Sequence, residues 1–134
     1  MKITKDFKGL VDVGWAYKFK GSITTSESLE IELDGKWLFV TDSIEAGGSI
    51  EAGGGIKAGW GIKAGGGIKA GEGIEAGLSI TCKKIISLKF SLFAGICTWR
   101  ETEEKDELIT CSAIKGGQVK YGTVKLLEKE KQTV

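Results

Sequence analysis

Three lysines six residues apart, Lys57, Lys63 and Lys69, with Trp60 between the first two and Glu72 just past the third, are the residues of this chain best suited to chemistry. The chemistry they suit is binding. Ammonium groups interleaved with an aromatic ring hold acidic surfaces or stack on bases, and tryptophan is a favoured anchor in protein interfaces. Covalent catalysis has less to work with. The 134 residues include no histidine, so the commonest general base, the commonest metal ligand and the centre of a Ser-His-Asp triad are missing. Cys82, Cys97 and Cys111 are an odd number without a CxxC spacing, which fits reduced, packed thiols better than a zinc site or a disulfide framework. No catalytic, metal-ligating or cofactor-binding residue is expected.

Charge narrows the partners. Lys plus Arg total 19 and Asp plus Glu total 18, a net charge of +1, so no general field draws in nucleic acid or an anionic membrane. Binding must come from local pattern. No window approaches the roughly 20 apolar residues of a membrane-spanning helix, and the start of the chain lacks the apolar core of a signal peptide. A cytoplasmic protein with no membrane partner is expected.

The candidate residues sit inside a repeat. Isoleucine recurs at 44, 50, 56, 62, 68, 74, 80 and 86, and the same step lands on Leu38 and Leu92. Each unit reads Ile, Glu or Lys, Ala, Gly, a free residue, then Gly or Ser. A helix would rotate successive isoleucines off any common face, and each glycine would cost it about 1 kcal/mol. A three-residue strand fits instead: Ile and Ala point inward, the charged residue between them points out, and the glycines turn a corner. Hexads of this kind form β-helices, in which each repeat is one side of a coil and coils stack about 4.8 Å apart.

The variable charges count the sides. With three hexads per coil, Glu45 stacks on Lys63, Glu51 on Lys69 and Lys57 on Glu75, all complementary; with two, Lys57 would stack on Lys69. The expected fold is therefore all-β, a short three-sided β-helix (β-solenoid) over residues 38–92, capped by flanking β-strands or hairpins at 1–37 and 93–134, in a single domain of residues 1–134. The inner ladders are then Ile44/Ile62/Ile80, Ile50/Ile68/Ile86 and Leu38/Ile56/Ile74/Leu92, and Trp60 lies beside Leu78.

Expectations for the flanks are less regular. Leu29, Ile31 and Leu33 alternate inward, and a turn at Asp34-Gly35 leads into Trp37-Leu38-Phe39-Val40, as a hairpin or an irregular first coil. Ile86, Leu88, Phe90 and Leu92 alternate inward downstream. The acidic stretch 100–107 reads as a solvated loop and the tail 128–134 as frayed. Trp15, Tyr17 and Phe19 alternate as one face of an edge strand, capping the first coil or meeting a partner. With 21 glycines and no proline, the corners are expected to use positive φ.

In period the chain resembles hexad-coil acyltransferases of the left-handed β-helix type. Those enzymes use a catalytic histidine and place glycine directly after the aliphatic residue, where this chain has Glu or Lys. Runs such as GGGIKAGWG lack the strand-to-helix context and Gly-Lys-Ser/Thr end of a phosphate loop. The outward ladder is charged, unlike the threonine-rich plane of an ice-binding solenoid.

Units such as SIEAGG and GIKAGW, between Ser43 and Ile80, resemble Ile-(Glu/Lys)-Ala-Gly-X-Gly arrays in small proteins of phages and prophages of Gram-positive bacteria. The resemblance implies a non-enzymatic protein-binding module: a phage-encoded inhibitor, anti-CRISPR in type, that occludes the surface of a host protein or ribonucleoprotein effector. Its expected contacts are Trp60, Lys57, Lys63, Lys69 and Glu72. The rival expectation is a structural solenoid of a virion or surface assembly, a homo-oligomer joined through coil ends or edge strands. Contact with nucleic acid is a third, weakened by the glutamates paired with the lysine row.

Overall fold

A computed structural model describes residues 1–97, 101 and 103–127. The chain is a three-sided β-solenoid of about 6 coils. Each coil adds one short parallel strand to each of three sheets, here called faces I, II and III. Face I contains Lys2–Thr4, Leu29–Glu32, Ile50–Ala52, Ile68–Ala70, Ile85–Ser87 and Ala113–Lys115. Face II stacks Ala16–Phe19, Trp37–Val40, Ile56–Ala58, Ile74–Ala76, Ser91–Ala94 and Gln118–Tyr121, with Leu10–Asp12 added antiparallel at its start. Face III stacks Ile23–Thr25, Ile44–Ala46, Ile62–Ala64, Ile80–Cys82, Leu108–Cys111 and Thr123–Leu126.

The register advances three hexads per coil throughout the repeat. Ile62 lies between Ile44 and Ile80, Ile68 between Ile50 and Ile86, and Ile56 and Ile74 join Leu38 to Leu92. Isoleucine, leucine and alanine fill one continuous interior, and the repeat isoleucines are 0–2% exposed. Each such side chain contributes about 1.5–3 kcal/mol relative to an exposed one. The three charge pairs hold their registers: Lys63 aligns with Glu45, Lys57 forms an ion pair with Glu75 at 3.3 Å, and Lys69 with Glu51 at 3.9 Å.

The corner glycines work differently from the expectation. None from Gly47 to Gly77 has positive φ; the positive values fall in the outer coils, such as Gly35 (φ 82) beside Asp34 (φ 54). Close approach selects the repeat glycines. A Cβ on Gly59, Gly65, Gly71 or Gly77 would run into the backbone carbonyl oxygen of Thr41, Gly47, Gly53 or Gly59 in the preceding coil. Serine at the sixth position adds a link between coils, since Ser49 Oγ accepts a hydrogen bond from Gly67 N at 3.1 Å.

Outside 38–92 the solenoid continues with changed coil lengths. The step from Ile23 to its partner Ile44 is longer than in the repeat, that from Ile80 to Ile109 is longer again, and that from Ile109 to Val124 is shorter. The longest of these steps holds the acidic stretch as an insertion. That stretch is not wholly solvated: Asp106, in the 3-10 turn Glu104–Glu107, is 8% exposed and accepts a hydrogen bond from Glu103 N at 2.9 Å. The Asp34-Gly35 turn is a coil corner and not a hairpin, because its flanking strands join different faces. Phe90, expected inside, is 56% exposed; a corner between faces I and II interrupts the alternation. The tail 128–134, expected to fray, lies outside the described residues.

Candidate functional site

Three-sidedness separates the lysine row. Consecutive hexads occupy consecutive faces, so Lys57 projects from face II, Lys63 from face III and Lys69 from face I. One flat partner cannot touch all three. Trp60, 43% exposed, lies at the corner between faces II and III, with Asp42 and Leu78 bonded above and below it through the backbone. Glu72 has a structural role, because its Oε1 accepts a hydrogen bond from Trp37 Nε1 at 2.9 Å. The Trp37 indole covers Gly55, where a Cβ would collide with the ring, and reaches Gly73, where a Cβ would run into the Ser91 carbonyl oxygen and press on the ring edge.

The residues that do converge form an aromatic and cationic cluster at the N-terminal half of face II. Register makes its centre: Phe39 aligns with Lys18 on one side and Lys57 on the other. Trp15, just before the first parallel strand of this face, stacks on Phe39 at 5.8 Å between ring centroids and meets Trp37 edge-on at 6.4 Å. The Lys57 ammonium lies 5.2 Å from the Phe39 ring centre and 5.6 Å from that of Trp15, while Lys18 approaches Phe39 at 5.7 Å. Glu75, one coil further on, also holds Lys57. Each cation over a ring face is worth about 0.5–1 kcal/mol at an exposed site, so the lysines fix the rings as much as the rings fix them.

Trp15 is 52% exposed even so. A large aromatic surface held rigid but half open to solvent loses little conformational entropy when covered, which is the property of an interface anchor. At the cluster's upper rim, Lys36 bridges to Asp12 at 3.1 Å and stands 5.2 Å above the Tyr17 ring. The Gly14 N–H, and then Lys36, hold the Asp12 carboxyl below its ordinary pKa, so it stays ionised and pins the hairpin that carries Trp15. The aromatic trio of the N-terminal strand therefore divides. Tyr17 and Phe19 pack on the end of the core as a cap, and Trp15 turns outward.

The sequence contained one pointer to this cluster: Phe39 precedes Lys57 by three hexads, one regular coil. Trp15 was harder to place, because the coil that seats it, from Tyr17 to its partner Leu38, is longer than the repeat allows. The other faces offer less. Face I carries a shallow groove lined by Glu30, Glu32, Asp34, Glu51 and Lys69, and the outward ladder of face III is Thr24, Glu45, Lys63, Thr81, Thr110 and Lys125. Among the described residues no three Cys, Asp or Glu side chains are grouped to hold a metal ion. Cys82 and Cys111 are fully buried; burial, and the nearby Cys111, push the Cys82 thiol up to about 11. Compared with known protein families, curated proteins and solved structures, the chain matches none.

Proposed function

We propose that the protein is a non-enzymatic, rigid protein-binding module that presents the Trp15 cluster of face II to its partner. The observation that supports this is the half-exposed Trp15 ring, held by Phe39 and Trp37 and flanked by Lys18 and Lys57. The partner surface that suits it carries a pocket for an indole and carboxylates beside the pocket to meet the lysines. The more specific reading rests on the resemblance of the repeat to phage arrays: an inhibitor of a host CRISPR-Cas type effector, acting by occlusion. The contact then centres on Trp15, Phe39 and Lys57, with Trp60 at the neighbouring corner, in place of a lysine row.

A purified effector complex incubated with the protein provides the test, read as target cleavage and as complex formation by gel filtration. Trp15→Ala with Phe39→Ala is expected to weaken binding at least 100-fold, about 2.7 kcal/mol, as loss of an anchor does. Lys63→Glu, on face III, is expected to leave it unchanged. Equal sensitivity to the two variants, or full potency of the double alanine variant, rejects the Trp15 cluster as the docking surface.

A further inference from the structure

The two ends of the solenoid are finished differently. At the N-terminal end Phe7, Leu10, Tyr17 and Phe19 pack over the core, Phe7 and Phe19 with ring centroids 5.9 Å apart, and the antiparallel strand Leu10–Asp12 occupies the edge of face II. At the other end the interior ladders run on with no lid among the described residues. Val119 stacks on Leu92, Val124 on Ile109 and Leu126 on Cys111. The residues beneath are all 0% exposed, while Val119, Val124 and Leu126 are 36%, 38% and 57% exposed, with Tyr121 and Leu127 also exposed beside them. The terminal strands Ala113–Lys115, Gln118–Tyr121 and Thr123–Leu126 are each the last of their sheet among the described residues. Strand edges are thus open on three sides and core positions on two, while on face I Ile114, stacked on Ile86, stays partly buried against the core.

We propose that this end pairs with the same end of a second copy of the chain, about a two-fold axis perpendicular to the coil axis. Shape selects the occupant. One extended peptide pairs with one side of the triangle, whereas another coil end offers three edges and an apolar centre at once. The two-fold axis reverses the direction in which the strands circulate, so facing edges pair antiparallel. Head-to-tail stacking would set this open core against the capped end, so the assembly closes at two copies and does not grow into a fibre.

Size and charge set the expected affinity. Six residues a side at about 3.3 Å each make a triangle at most about 20 Å on edge. That is smaller than the roughly 800 Å² per partner of a standard interface, so dissociation in the micromolar range is expected. Lys115, Lys120 and Lys125, one on each side of the last coil, meet like charges across the axis. Salt screens that repulsion, so the pair tightens as ionic strength rises; an acidic partner on the same lysines would be released instead.

Sedimentation equilibrium of the full chain from micromolar to millimolar concentration, at about 50 mM and 1 M NaCl, tests this. The expected result is a reversible shift from 14.3 kDa to twice that mass, with the dissociation constant falling several-fold at high salt. Val124→Lys with Leu126→Lys changes only exposed side chains, so the fold, checked by circular dichroism, should persist while the dimer is lost. A chain that stays monomeric at millimolar concentration, a dimer indifferent to the two lysines, a dimer dissolved by salt, or open-ended growth would each overturn the proposal. None of these outcomes bears on the Trp15 cluster, which lies at the opposite end of face II.

Discussion

The central coils, from Leu38 to Leu92, and the outer coils are built on the same three-sided plan but use their side chains differently. Between one central strand and the next, each outward charge stacks in register with an opposite charge or a neutral side chain, and the corners are mostly glycine or serine, fitted against the coil below. The three faces there are nearly interchangeable. In the outer coils the step lengthens or shortens and the faces become distinct: Glu30 falls beside Glu51, Trp15 and Lys18 arrive at one end of face II, and an open apolar edge is left at the other end of the solenoid. Regularity supplies the scaffold, and departures from it supply the surfaces that differ from one side to the next.

The contrast is sharpest in core substitutions. Ile62→Ala, in the middle of a fully buried ladder, is expected to cost about 2–5 kcal/mol in chemical denaturation, because neighbours held between two coils cannot collapse into the cavity. Val119→Ala, at the open end of an equivalent ladder, is expected to cost less than about 1 kcal/mol. Equal costs would mean that the last coil is as well packed as the centre.

Glycine substitutions come next. Gly71→Ala sets a Cβ against the Gly53 carbonyl, where only backbone movement can relieve the overlap, and a loss of about 1–3 kcal/mol is expected in the same assay. Gly53→Ala meets nothing within 4 Å and should change stability by less than about 0.5 kcal/mol. A smaller effect is expected at the seam between repeat and outer coil. Glu72→Ala leaves Trp37 Nε1 without its acceptor and should cost about 1 kcal/mol, with a shift in tryptophan emission, whereas Glu72→Gln restores most of both.

The gentlest test uses pH. The folded Cys82 thiol is raised to about 11, so the folded state favours the neutral form more than the unfolded chain does. Stability from this group is complete below the ordinary thiol pKa and is lost as pH rises from about 8.5 through about 11. Cys82→Ala should flatten the alkaline decline in melting temperature. Thiol labelling at neutral pH should reach the half-buried Cys97 well before Cys82 or Cys111.

Particular residues mark how far the sequence could be read. The partners of Lys57, Lys63 and Lys69 were legible because each lies three hexads away within an unbroken period. The same period scatters those lysines over three faces, a consequence that follows only when the triangle is applied to the outward positions as well as the inward ones. Glu72 stood out as a corner that departs from glycine, but its reason is Trp37, far earlier in the chain and in another coil. Phe90 satisfied an alternating pattern and still lies outside, since alternation holds within a strand and fails across a corner.

By itself the sequence determined the three-sided coil, the inward ladders and the charge register, because a strict local period fixes which residue stacks on which. Only the tertiary structure decided which surfaces exist. Inserted and shortened coils bring Trp15 over Phe39, send Tyr17 and Phe19 onto the core, and leave Val124 and Leu126 uncovered. No period connects those residues; their proximity comes from the stacking of coils of unequal length, a property of the assembled core.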